Sequence, residues 1–160
     1  MSPVLKPLAE VALALLARRE HAVKELQRKL TQKGYALAEV RPVLADMQAR
    51  GYLNDARYAI ARARYRVGSS KWGWGRVAQE LAQVGITPDD VAAAKAELED
   101  QGISLHHGAT LLARRKLSGK PPADKEAAYK QRQKAMAALL RKGYSLAEAK
   151  AALDEAAAAE

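Results

Sequence analysis

Cysteine is absent from the 160 residues. Neither disulfides nor thiol chemistry apply, and the absence fits a reducing cytoplasm. Phenylalanine is absent too, and valine and isoleucine are sparse. No stretch alternates apolar and polar residues as a half-buried strand would. The longest apolar run near the N-terminus, Val11 to Ala17, is too short to span a bilayer. It lacks the small-residue cleavage site of a signal peptide. Catalytic signatures are missing as well. His21, His106 and His107 are the only histidines, and no H-E-x-x-H, G-x-S-x-G or glycine-rich phosphate loop accompanies them. The adjacent pair His106-His107 reads as the opening turn of a helix. No catalytic, cofactor-binding or metal-binding residue is assigned, and the chain reads as a non-enzyme.

What is present is helix-forming and basic. Ala, Leu, Lys, Arg, Gln and Glu dominate, all good helix formers, so the chain reads as all-α. Lys and Arg total 27 against 18 Asp and Glu, a formal charge of +9. Such a balance favours a polyanionic partner: nucleic acid, a membrane surface or an acidic protein face.

A repeat organises the chain. "ELQRKLTQKGYALAEVRPVLADM" aligns with "KAMAALLRKGYSLAEAKAALDEA", placing Gly34 on Gly143 and Tyr35 on Tyr144. The middle copy, "RVAQELAQVGITPDDVAAAKAELEDQGI", puts Gly85 on Gly34 and Gly102 on Gly51, both 51 residues apart. The third copy follows after 58 residues, and the polar, Pro-rich stretch 118–126 has room for the seven extra. Each copy reads as three helices, giving repeats over 8–51, 52–102 and 103–157. Gly34, Gly51, Gly85, Gly102 and Gly143 sit where helix C-caps require the left-handed conformation. Thr87 and Ser145 cap third helices, Ser145 within a capping box with Glu148. Ala36 is a weaker cap, and Pro42 predicts a late start or a kink. The closing "AAAAE" is expected to fray. One repeat of about 50 residues buries little alone, so the fold expected is three tandem three-helix repeats stacked into an elongated, curved array.

"GYLNDARYAIARARYR", Gly51 to Arg66, carries no carboxylate after Asp55, and the next acid is Glu80. Asn54 or Asp55 caps its helix. On a helical wheel, at about 100° per residue, Tyr58 and Tyr65 fall on one side and Ile60, Ala63 and Val67 opposite. Both strips are expected to pack. Arg57 and Arg64 lie along one edge, Arg62 and Arg66 along the other. From Arg57 to Arg76 six residues are basic and none acidic; from Arg114 to Lys142 ten are basic against Asp124 and Glu126. Asp89 to Asp100 reverses this with five acids and one Lys. First and second helices are therefore basic. The loop "VGSSKWGWGRV" sets Trp72 and Trp74 beside Lys71 and Arg76. Its indoles would stack on bases, anchor a protein interface or plug the gap between repeats. Its glycines allow close backbone approach. Met47 and Met136 have core spacing.

The stretches "ARREHAVKELQRKLTQKGY", "MQARGYLNDARYAIARARYR" and "GWGRVAQELAQVGI" resemble the regulatory protein RecX family, whose pattern runs R-R-E-h-S/A, E-L-x-x-K-L-x-x-x-G, G-Y-L-N/D-D-x-R-Y/F-A and G-x-x-R-I-x-x-E-L-x-x-x-G-I. These fall on Arg18 to Glu20, Glu25 to Gly34, Gly51 to Ala59 and Gly73 to Ile86, with Val77 in the Ile place. The resemblance extends from about Leu8 to Leu153. "KWGW" departs from the commoner single aromatic near that glycine. The resemblance implies a regulator that binds the RecA recombinase, chiefly its filament on single-stranded DNA, and inhibits its ATPase, strand-exchange and co-protease activities. The residues expected to meet filament protein or DNA, single-stranded or also double-stranded, are Arg18, Arg19, Arg57, Arg62, Arg64, Arg66, Lys71, Trp72, Trp74, Arg76, Arg114, Arg115 and Lys116. A cytoplasmic monomer without cofactor or membrane contact is the expectation. The alternative is a free-standing, non-sequence-specific nucleic-acid-binding protein of helix-turn-helix-like repeats.

Overall fold

The structure, a computed structural model, describes residues 4–159. The described residues form nine helices and no strand: α1 (Leu8–Arg18), α2 (Val23–Gln32), α3 (Leu37–Ala49), α4 (Asp55–Gly68), α5 (Trp74–Gln83), α6 (Pro88–Asp100), α7 (His107–Leu117), α8 (Lys125–Arg141) and α9 (Leu146–Ala158). They fall into three successive triplets. In the first, α1, α2 and α3 pack on one another around Ala12, Leu26, Leu30, Val40, Leu44, Met47 and Leu53. In the third, α7, α8 and α9 enclose Ala109, Ala113, Ala135, Leu139, Tyr144, Ala149 and Leu153, with half-buried Met136 against them.

The punctuation follows the sequence. All five expected cap glycines have positive φ. Thr87 Oγ1 accepts from the Asp90 N–H, and Ser145 and Glu148 form the capping box. Ala36 makes no side-chain cap bond, yet α3 begins at Leu37 and holds Pro42 inside it, so the late start does not occur. Of the terminal alanines, α9 includes those up to Ala158 and buries Ala156, while Glu160 lies outside the described residues. The third repeat's extra length appears in α8, which has 17 residues where α5 has 10. Asp124, accepting from the Ala127 N–H, sets its early start.

Asn54 and Asp55 divide the capping between two helices. Asn54 Oδ1 accepts from the Arg57 N–H and caps α4. Asp55 Oδ1 instead accepts from the Val23 N–H at 2.8 Å, capping α2, whose own N-cap Ala22 offers no side-chain acceptor. Replacing Asp55 with Ala leaves that first-turn donor without a partner and should cost about 1–2 kcal/mol. Asp55→Asn, which keeps an acceptor, should recover most of it in a urea melt.

The chain divides into two compact units: one of residues up to Arg62 with Leu81–Lys95, the other of Ala63–Glu80 with Ala96 onward. α4, α5 and α6 therefore each give residues to both. In the first unit a Cβ on Gly85 would overlap the Lys24 side chain at the start of α2. In the second, a Cβ on Gly143 would overlap Arg76 at the start of α5. The same contact recurs: the start of one repeat's second helix seats on the glycine turn of the next repeat.

Candidate polyanion-binding surface

The nearly unbroken basic run of α4 and α5 is less available than its sequence suggests. Arg57 sits in the first turn of α4 and bonds the Glu20 carboxylate as well as the Gly51 and Tyr52 carbonyls. Arg66, in its last turn, makes a two-pronged pair with Glu80 at 2.8 and 2.9 Å, each side chain only 21% exposed. Arg64 is exposed and donates to the neutral Gln101 Oε1. Arg62 is half-buried. The two edges therefore differ: Arg57 and Arg64 face solvent, Arg62 and Arg66 less so. Tyr58 is core as expected, whereas Tyr65 is 53% exposed. Ala63 and Val67 are buried as expected. Breaking the Arg66 pair removes a partly buried bidentate contact and should cost about 1–2 kcal/mol, whereas Arg64→Ala should stay within about 0.5 kcal/mol. Thermal melts of the two variants separate these outcomes.

The tryptophan stretch is only partly a loop, because Val67 and Gly68 end α4 and Trp74 and Gly75 open α5. Both indoles are half-buried. Trp72 has the Arg66 guanidinium carbon 3.9 Å and the Arg76 guanidinium carbon 3.8 Å from its ring centroid. The indole is thus already engaged in cation–π contact, worth about 0.5–2 kcal/mol per arginine. The glycines do allow close approach, but to the chain itself. Gly73 N–H donates to the Lys142 carbonyl at 2.8 Å, and a Cβ there would strike the backbone of Gly143 and Tyr144. Tyr144 O–H donates to the Lys71 carbonyl at 2.8 Å. Lys142 Nζ donates to the Ser70 carbonyl, and Arg76 to the Arg141 carbonyl. Burial and the nearby Glu148 push the Tyr144 phenol up to about 12, so it stays a donor.

The remaining predicted residues end first helices. Arg18 is exposed; its neighbour Arg19 is bound to Glu25. At the end of α7, Arg114 pairs loosely with Glu155 at 3.6 Å, and Arg115 and Lys116 are exposed. Cations in a last turn also complement the helix dipole. Arg18, Arg64, Lys71, Arg76, Arg115 and Lys116 are thus the predicted cations that lack a carboxylate partner among the described residues. Arg141 and Lys142 lie outside the predicted set, although "KGY" recurs in the first and third repeats and marks the turn that carries Lys142. His106 precedes α7 without a side-chain capping bond, Ser104 Oγ accepting from the His106 and His107 N–H groups, and its ring faces Glu148 at 3.3 Å. No group of three or more His, Asp or Glu among the described residues could hold a metal. No helix among them is long and apolar enough to cross a membrane.

Three family models match in order: the first three-helix domain of RecX over residues 10–47, the second over 54–94 and the third over 109–153. The regulatory protein RecX of Pseudomonas putida (strain GB-1) is 39% identical over 127 residues, 78% of this chain and 79% of that protein. The regulatory protein RecX of Halorhodospira halophila is 35% identical over 89% of this chain and 84% of its own length. The chain belongs to the RecX family. RecX crystal structures agree on the fold. One from Lactobacillus salivarius superposes with a TM-score of 0.74 at 18% identity, over 93% of this chain and 94% of that one. A second has a TM-score of 0.73 at 21% identity, over 92% of this chain and 70% of that one. RecX membership and the all-α tandem architecture thus rest on sequence and fold together. The R-R-E and E-L motifs of the RecX pattern here supply an internal ion pair, Arg19 with Glu25.

Proposed function

We propose that this RecX-family protein binds a RecA-type recombinase, chiefly as its filament on single-stranded DNA, and inhibits its ATPase, strand-exchange and co-protease activities without catalysing a reaction itself. It acts as a cytoplasmic monomer in the regulation of DNA recombination and repair. The match to all three RecX domains in order carries this reading. The cations without carboxylate partners supply contacts of the right sign for a filament of protein and DNA. Arg64 is the edge residue to test, because replacing it breaks no ion pair.

The test is recombinase ATPase activity on single-stranded DNA with the chain at equimolar or lower amount. Inhibition is expected, and Arg64→Glu should weaken it more than Arg57→Glu. An unchanged rate with the wild-type chain overturns the reading. A second reading, a free-standing nucleic-acid-binding protein, draws on the same cations. It requires tight DNA binding without recombinase and a log–log salt slope near −5 for about six phosphate contacts on a duplex.

A further inference from the structure

We infer that the turn where α8 meets α9, together with the connection from α4 to α5, forms a binding site for the phosphate backbone of a nucleic-acid strand. Its cations are Lys71, Arg76, Arg141 and Lys142. This inference rests on the filament reading in one respect: the strand gripped is the one the filament carries.

The site lies within one compact unit, and its framework is built rather than incidental. Gly73 donates to the Lys142 carbonyl, Tyr144 to the Lys71 carbonyl, Lys142 to the Ser70 carbonyl and Arg76 to the Arg141 carbonyl. Four bonds therefore fasten two segments about 70 residues apart in sequence, each bringing two cations. None of the four has a carboxylate partner among the described residues, although the chain forms ion pairs at Arg19, Arg57, Arg66, Arg114 and Arg132. Of the nearby acids, Glu80 is occupied by Arg66, and Glu148 accepts from the Ser145 N–H and faces His106. Trp72 is a positioning residue: its ring centroid lies 3.8 Å from the Arg76 guanidinium carbon, a contact that limits the freedom a phosphate contact would otherwise have to remove. Lys71 has φ +56, where glycine is conformationally cheaper, so a lysine there costs backbone energy for a charged side chain. Four uncompensated cations on one junction suit a ligand with closely repeated charge. A single carboxylate on a protein surface would neutralise one of them, a phosphate strand several.

The experiment measures binding of the full chain to a fluorescent single-stranded oligonucleotide at several salt concentrations, alongside the ATPase assay. Each neutralised phosphate contact should reduce the magnitude of the log–log slope by about 0.7 and weaken binding about five- to tenfold near 50 mM salt. Arg76→Gln and Arg141→Gln should each do so. Arg28→Gln, an equal charge loss at an exposed site on α2, should leave affinity within about twofold. Lys71→Gly separates binding from folding: it should lower the slope without lowering the melting temperature. In a Trp74→Phe chain, where Trp72 is the only indole, the oligonucleotide should change the emission. Equal losses from Arg28→Gln and Arg76→Gln, or bound oligonucleotide with unchanged Trp72 emission, overturn the site even if ATPase inhibition persists. Wild-type binding with these signatures but without ATPase inhibition would instead overturn the filament reading and leave the site standing.

Discussion

Gly143→Ala should destabilise the second compact unit by about 3 kcal/mol or more, as two costs add. Gly143 has φ +95, where a Cβ carries a penalty of about 1–2 kcal/mol. The added methyl would also overlap the Arg76 Cβ and press on its backbone nitrogen. Overpacking of that kind costs about 1–3 kcal/mol. Relief by movement is blocked, because the Gly73 to Lys142 hydrogen bond pins the two backbones together. Two further glycines grade the effect. Gly51 has φ +78 with nothing within 4 Å of its Cβ direction, so its alanine variant should cost only about 1 kcal/mol. Gly85 has φ +82 and faces the flexible end of Lys24, which can swing aside, so its cost should fall between the other two. Urea melts read the order, and hydrogen exchange over 109–153 against 10–47 shows which unit has loosened. Equal costs at Gly51 and Gly143 would mean the junction is not packed this tightly.

The spacing of those glycines made the repeats legible, because a helix C-cap in the left-handed region leaves a local, position-specific mark. Thr87, Ser145 and Asn54 were legible for the same reason: a cap acts within three residues of itself. The unreadable features are those made between distant segments. Asp55 caps a helix 32 residues upstream, a role indistinguishable in sequence from capping its own helix. Arg57 with Glu20 and Arg66 with Glu80 look like an unrelieved basic run because their acids lie 37 and 14 residues away. Trp72 and Trp74 read alike in sequence, as base stackers, interface anchors or plugs between repeats, yet Trp72 contacts two arginines and Trp74 begins a helix. Charge counted along the chain thus overstates the charge available at a surface, and the residues worth testing are those that keep no internal partner.

The acid sensitivity of the first unit follows from one such internal network. Glu25 is buried in α2, and burial alone would raise its carboxyl. Hydrogen bonds from Arg19, with the charges of Arg19, His21 and Lys29, outweigh this and hold it at about 2, below its ordinary 4.5. His21 is buried beside it, and desolvation lowers its pKa from 6.5 despite its bond to the Arg19 carbonyl. Lys29 Nζ donates to Nε2 at 3.0 Å, so Nδ1 carries the proton given to Arg19. Protonating Nε2 would set an imidazolium against the Lys29 ammonium. Both shifts are downward, so both contributions are present at neutral pH. That of His21 is lost first, as pH falls below 6.5 toward its lower folded value. That of Glu25 is lost between pH 4.5 and about 2. Glu25→Gln keeps the shape and removes the charge, and should cost about 2 kcal/mol at pH 7, allowing for the half-exposed Arg19. It should cost almost nothing at pH 2, so the wild-type and variant stability curves converge on acidification. Curves that stay parallel from pH 7 to pH 2 would show that the Glu25 charge contributes nothing, and that the network holds α1 to α2 by shape alone.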